Sequence, residues 1–588
     1  MQAGNALDKR LRAAIGVFEA GQLDRALQMV QQLCQSHPHV SIVHNVHGVI
    51  AAEKGAFQVA IDSYQTAISL EPDNCDVHFN LGNVLRDKGD LKSAVASYRA
   101  ALQIRPDDPD VMFNMATVLR GLGELNAAEK LFRQLVEVSP KDHTAHSNLG
   151  GVLFRLGLTE EAIDCFRRAL QLQPGFVEAH DSLCEVLDRT DQLDELRKAV
   201  AHAHTVCPPN DIRIAIRQAQ LLRRDNELEG ARNILSGVEK FHAAQAQLNS
   251  AYWYLSGDIC DRLEDAKTAY KAFVEANIWA AKAAGGRGLK PGNFIRRLDD
   301  LQAACKSVHR APPPEPDAQP DAPKLVFLVG FPGSGTSLLG TALSSHSRIL
   351  VVEEKPMVQE MVTLAGSWQA GDLPDHEELT DKQVTELRSA YMTRLNQHLP
   401  DQGADGDVVI DKLPLNIVEA GLISKVFPDA RFLLVLRDPC DCVLSCFMQD
   451  FRLNDAMANF LDLKSAARCY DKVMSLWATY AGALHLPVHT VKCEQLVGDL
   501  EETVGDVLNY LDLDWEQSMA DCKAPALDRK RIDTSGHDQM VQPTYSRAKG
   551  RWRRYRAHMV PVLPTLLKWA EIHGYTKGSN YSNHQGNS

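Results

Sequence analysis

At 588 residues the chain is longer than one hydrophobic core serves, so two or more domains are expected, and its 45% apolar content lets each of them fold. The formal net charge of −13 argues against a general nucleic-acid binder or a protein adsorbed on acidic membranes. No run approaches the roughly 18 apolar residues that would suggest a membrane span, and the opening MQAGNALDKRLRAAIGVFEAG has no apolar signal core, so a cytoplasmic, reduced protein is the expectation.

From Leu7 to Ile278 the chain divides into eight blocks of 34 residues without a gap. Position 32 is Pro38, Pro72, Pro106, Pro140, Pro174 and Pro208 in the first six blocks. Position 20 is Ala26, Ala60, Ala94, Ala128 and Ala162, and position 8 is Ala14, Gly48, Gly82, Ala116 and Gly150. Position 24 is aromatic in Tyr64, Tyr98, Phe132 and Phe166. Small residues at 8 and 20 let two antiparallel helices approach, the aromatic fills space between neighbouring pairs, and proline stops the second helix. The pattern resembles the tetratricopeptide repeat, whose period is 34. It decays where Gly230 and His242 replace the alanine and proline of block seven. Residues 7–210 are therefore expected to form an α-helical solenoid of tetratricopeptide repeats, with 211–306 as degenerate or capping helical repeats. The resemblance implies protein or peptide binding through the repeat groove; a spacer or oligomerisation arm is the alternative.

After the last amphipathic stretch, DDLQAACKS, comes VHRAPPPEPDAQPDAPK, read as a proline-rich linker over 307–323. Residues 324–577 then begin with KLVFLVGFPGSGTSLLGTAL. Leu325–Val329 is an apolar run of the kind buried in a parallel sheet. The turn from Gly330 to Gly335 leads into a helix at Ser337. Strand, glycine-rich turn and helix N-terminus make an anion site. An NTPase loop would read GxxxxGK[ST], but Thr336 stands at the lysine position, so a kinase or NTPase loses its main γ-phosphate ligand.

The loop resembles the first motif of PAPS-dependent sulfotransferases, PRSGTT or PKSGTT, and the resemblance extends over roughly Leu325 to Tyr575. Within that superfamily the similarity is closest to the tyrosylprotein sulfotransferase branch and its bacterial relatives with tetratricopeptide repeats. It implies an α/β P-loop-type domain with a parallel sheet. It also implies PAPS (3′-phosphoadenosine-5′-phosphosulfate) as donor, a hydroxyl-bearing acceptor such as protein tyrosine, and no metal. Gly333, Ser334, Gly335, Thr336 and Ser337 would hold the 5′-phosphate. In RFLLVLRDPCDCVLSCF a strand ends in Arg437 and Ser445 follows eight residues later; these carry over as ligands of the 3′-phosphate, the arginine suiting phosphate through its planar fork. Lys412 of DKLPLN carries over as the electrostatic catalyst. Glu354 of VVEEKPM is the candidate general base, with Glu353 as fallback. Ser535 and Arg551, in TSGHDQMVQPTYSRAKGRWRRYR, would close over the donor. Bland alternatives are a surface lysine, an acidic helix cap and a solvated basic helix.

Two departures from the family pattern stand out. Gly333 occupies a position where the family has arginine or lysine, and Cys493 stands where an aromatic packs near adenine. They keep a second function class open, a non-catalytic scaffold with a nucleotide-binding pseudo-sulfotransferase domain. Cys440, Cys442 and Cys446 form a cluster with no second Cys/His pair, and are read as buried cysteines rather than a zinc site. The polar tail, 578–588, is expected to be disordered.

Overall fold

The computed structural model describes residues 2–238, 245–285, 288–306, 324–368, 379–399, 408–520 and 549–576. The proline-rich segment at 307–323, Ser535 and the tail lie outside the described residues. The chain divides into two compact units, Met1–Arg217 and Gln218–Ser588.

The first unit is a run of antiparallel helix pairs. The second helices span Leu23–Ser36, Phe57–Leu70, Leu91–Ile104, Leu125–Val138, Thr159–Leu172 and Leu193–Val206. Each stops two residues before its proline, because proline restrains the residue before it and cannot donate to the preceding turn. The carbonyls of Pro38, Pro72, Pro140 and Pro174 then meet the Nε2 atoms of His44, His78, His146 and His180 at 2.8–3.1 Å. Small residues at position 8 serve a closer contact than the sequence suggests. A Cβ on Gly82 would lie 2.5 Å from the Tyr98 ring, and one on Gly150 would lie 2.9 Å from Phe166. The aromatic thus fills the gap inside its own pair.

In the second unit the glycine–aromatic device recurs: a Cβ on Gly257 would lie 2.8 Å from the Phe273 ring. The 34-residue frame carries Gly150 forward to Tyr252, so this pair has slipped out of frame. Its helices, Ala246–Arg262 and Ala266–Ala284, and the following Pro291–Lys306 share one apolar core with the sheet. Asn277 donates to the Phe447 carbonyl (3.0 Å), Lys472 pairs with Asp299 (2.5 Å), and Arg297 pairs with the buried Glu419. These helices are an integral layer of the second unit.

The sheet has five parallel strands: β1 (Lys324–Gly330), β2 (Ile349–Glu353), β3 (Val408–Lys412), β4 (Arg431–Leu436) and β5 (Val488–Lys492). Their order is β2-β3-β1-β4-β5. After β1 the chain winds to one side, then returns to β4 on the other. The strand order therefore reverses beside β1, and crevices at such switch points open at the strands' C-terminal ends. β3 and β4, on either side of β1, are almost entirely buried, as covered parallel strands require. Among the described residues no helix is long and apolar enough to cross a membrane.

Candidate active site

Residues just beyond the C-terminal ends of all five strands converge on one cavity. Its lining includes Gly333, Gly335, Thr336 and Ser337 after β1, Glu354 after β2, Leu413 after β3, Arg437 after β4 and Cys493 after β5. The helix Thr336–Leu343 starts from Gly335. Its first amides have no partner within the helix and face the loop, which makes an anion cradle. Gly335 has φ +104°, and a Cβ there would lie 2.7 Å from Cys493 Sγ. Any side chain would break the turn and collide with the β5 end.

Lys412, the last residue of β3, is fully buried. Its Nζ donates to Ser337 Oγ at 2.8 Å and to Glu354 Oε1 at 3.1 Å. Burial of a lysine requires such partners, and here they come from the phosphate loop and from the residue after β2. Glu354 holds φ +49°, a region few non-glycine residues adopt. Its amide donates to the Lys412 carbonyl (2.8 Å), so the strand pairing extends past β2 and turns the carboxylate into the cavity. Glu353 points toward the helix Thr336–Leu343 instead, its Oε1 3.7 Å from where a Gly340 Cβ would stand, and is not among the cavity's lining residues. The cavity receives Glu354.

Arg437 Nη1 donates to the Gly333 carbonyl (2.8 Å), and a Cβ on Gly333 would lie 3.4 Å from Ser445. Arg437, Ser445 and the loop are thus one cluster. Ser334 is buried beneath the loop, its Oγ without a hydrogen-bond partner among the described residues. Cys442 and Cys446, one helical turn apart, both direct their thiols at the Pro332 carbonyl (3.3 and 2.9 Å). Burial pushes both thiols up from the usual range, so they act as packing groups that pin the loop. Among the described residues the cysteines are free, and no cluster of His, Cys, Asp and Glu could hold a metal.

Arg551 takes a different place from the one expected. It forms an ion pair with Asp261 (2.8 Å), which also receives Arg554 (3.2 Å) and the Tyr555 hydroxyl (2.6 Å). Arg551 is not among the cavity's lining residues. A nearly buried carboxylate on the helix Ala246–Arg262 captures it, a partner invisible at a sequence separation of this size. The same segment is held near the site by Asp441, whose carboxylate accepts the amides of Gly550 (2.5 Å) and Trp552 (2.8 Å). Burial raises Asp441 to about 6 against the pull of Arg437.

Sequence reasoning missed Asp441, although its place one helical turn past Arg437 in RDPCD is a signal. It also missed the buried Asp411, which accepts from Tyr391 (2.9 Å) and Asn416 (3.3 Å) beneath Lys412. The wall formed by Gln449, Phe451 and Met457 carried no motif.

The profile of the Sulfotransferase family matches residues 323–517, and tetratricopeptide-repeat profiles match 48–86, 82–120 and 113–175. An uncharacterized protein of Aquifex aeolicus is 24% identical over 246 residues, 41% of this chain and 32% of that protein. Protein-tyrosine sulfotransferase 1 of Danio rerio is 26% identical over 263 residues, 41% of this chain and 71% of that protein. The chain thus spans about a third of the length of the first relative and about seven-tenths of the second. A solved tetratricopeptide repeat protein from Parabacteroides merdae aligns at 15% identity over 43% of this chain and 99% of its own, with a TM-score of 0.35. Residues 323–517 thus carry a sulfotransferase-family match, and matches to tetratricopeptide repeats precede it.

Proposed function

We propose that the chain is a PAPS-dependent sulfotransferase that moves a sulfuryl group to an acceptor hydroxyl, with the repeats binding a protein or peptide partner. The observation that carries this reading is Lys412, a buried cation bridging Ser337 of the phosphate loop and Glu354. Transfer from a phosphate leaving group to a hydroxyl needs a cation at the departing oxygen and a base at the arriving one. One lysine in reach of both is suited to that task.

The residues fit the donor. Gly335 keeps the cradle open where a Cβ would strike Cys493, and hydroxyls, amides and a guanidinium line the cavity. PAPS, when bound, supplies the sulfuryl group. The amides of residues 333–337 and the hydroxyls of Thr336 and Ser337 hold its 5′-phosphate, and Arg437 with Ser445 its 3′-phosphate. Glu354 accepts the acceptor's proton on its carboxylate. Lys412 stabilises negative charge on the departing oxygen and keeps Glu354 oriented. The scheme uses no metal. Because the Danio rerio relative is named a protein-tyrosine sulfotransferase, a tyrosine in a peptide is the acceptor to try first.

A second reading, a nucleotide-binding scaffold without turnover, is favoured by Gly333, which puts no cation where the family has one. Calorimetric titration with PAP, the desulfated donor product, tests the donor site, with ATP and Arg437→Ala as controls. Selective PAP binding that vanishes in Arg437→Ala is expected. A folded sample that does not bind PAP sinks the sulfotransferase reading. PAP release from PAPS in the presence of a tyrosine peptide then separates enzyme from scaffold.

A further inference from the structure

Asp441 is a buried carboxylate that the proposed reaction does not use. It stands on the helix Pro439–Phe447, four residues after Arg437 and one helical turn before Ser445. Ser445 lines the cavity, whereas Asp441 is 2% exposed and lies outside the lining. A carboxylate so far from water persists only where other groups answer its charge. Gly550 and Trp552 donate their amides to its two oxygens, at 2.5 and 2.8 Å. Gly550 takes φ +72°, in the left-handed region, and a turn of this kind points alternate amides at one anion.

The cation that favours the ionised form is Arg437, which itself reaches the Gly333 carbonyl at 2.8 Å. The glycine-rich loop, Arg437, Asp441 and the Gly550–Trp552 turn are therefore one connected cluster. The other charged or titratable groups around Asp441 are Asp438 ahead of its helix, Cys442 on it, and Cys493 and Glu494 after β5. Glu494 is engaged elsewhere, its oxygens accepting the Asp438 amide (2.9 Å) and the Tyr575 hydroxyl (2.9 Å). Arg551 and Arg554 of the clasped turn face Asp261.

We propose that Asp441 is a positioning residue for the donor: its carboxylate holds the Arg437 guanidinium in the 3′-phosphate site and fastens the Gly550–Trp552 turn beside it. This rests on the reading of Arg437 as a ligand of the donor and adds the group that acts through it. With a carboxylate on one side and the Gly333 carbonyl on the other, the planar fork of Arg437 keeps one orientation toward a phosphate. An arginine ordered in advance lowers the cost of binding, because less side-chain freedom is lost when the donor arrives. The ionised carboxylate is required. A neutral acid keeps an acceptor oxygen for an amide but loses its attraction for Arg437.

The test is calorimetric titration of the full chain and of Asp441→Asn with PAP, at pH 8 and at pH 5. Burial lifts Asp441 to about 6, so the side chain is ionised at the higher pH and mainly the neutral acid at the lower. Asparagine has the shape of that neutral acid. At pH 8 the native chain should bind PAP at least about tenfold more tightly than the variant, the scale of one charge-assisted hydrogen bond. At pH 5 the ratio should fall toward one, and the ionisation of PAP itself cancels in it. Equal affinities at pH 8, or a deficit that persists at pH 5 as a purely structural defect would, overturn the positioning role and leave the donor site standing. A folded native chain that does not bind PAP overturns both. Near-ultraviolet circular dichroism checks the fold of Asp441→Asn. If the variant does not fold, hydrogen exchange on the native chain decides. PAP should slow exchange at the Gly550 and Trp552 amides, which lie outside the cavity lining, and unchanged exchange there overturns the proposal.

Discussion

Lys412 is the residue on which the proposed chemistry turns, because it touches both the glycine-rich loop, through Ser337, and Glu354, the proposed base. Lys412→Ala should lower kcat by about 10²–10³, the usual effect of deleting one preorganised charge stabiliser. Glu354→Gln keeps the size of the side chain and removes its basicity, so it should lower kcat while PAP affinity stays near that of the native chain. Steady-state turnover with PAPS checks both, and unchanged rates in the two variants would remove these residues from the mechanism. Asp411, beneath Lys412, sets a pH dependence of stability. Burial lifts its carboxyl to about 7, with the Tyr391 hydroxyl opposing. The native state therefore holds this proton where the unfolded chain has released it. Its contribution is fully present below about pH 4, near the ordinary carboxylate value, and is lost as pH rises to about 7. Asp411→Asn should flatten that fall, seen as a smaller difference in Tm between pH 5 and pH 8.

At the scale of elements, two close approaches are decisive. In the repeats Gly82 lies under the Tyr98 ring, and Gly82→Val should cost about 1–3 kcal/mol through overpacking. Chemical denaturation followed by helix content measures it, and an unchanged midpoint would mean that the ring has room to move. In the phosphate loop Gly335→Ala places a methyl group against Cys493 on a backbone with φ +104°. Strain of about 1–3 kcal/mol at one turn is too little to unfold the unit, but it distorts the cradle. The expected outcome is a folded protein, by near-ultraviolet circular dichroism, that no longer binds PAP. Retained PAP affinity would show that the loop amides are not the phosphate ligands.

At the scale of the molecule, the second unit begins well before the sheet. Asp261 holds Arg551, Arg554 and Tyr555, and helices as far upstream as Ala246–Arg262 share the apolar core. A fragment starting at residue 218 should fold and bind PAP. One starting at residue 319, just ahead of the family match, should aggregate, because it exposes the apolar face those helices cover and leaves the buried Glu419 without Arg297. Size-exclusion chromatography with PAP titration of the two fragments decides it.

What could be read from the amino acids alone was whatever repeats locally or sits in a short motif. Proline at a fixed place in each block stops a helix by its own covalent structure, so the helix pairs were legible one by one. The glycine-rich turn after an apolar run, and the arginine-to-serine spacing of 437 and 445, were legible because strand, turn and helix follow each other within a few residues. Glu354 was found by counting along the chain, but that its carboxylate, rather than that of Glu353, enters the cavity depended on the turn after β2. Arg551 could not be assigned from its neighbours, since its partner Asp261 is nearly three hundred residues away and competes for it with any bound anion. The out-of-frame pair at Gly257 and Phe273 joined the sheet rather than the repeats because its apolar surface found a larger core there. Local covalent preferences determine elements; which distant charges meet, and which cores merge, is decided only when the whole chain minimises its buried apolar area and unpaired charge together.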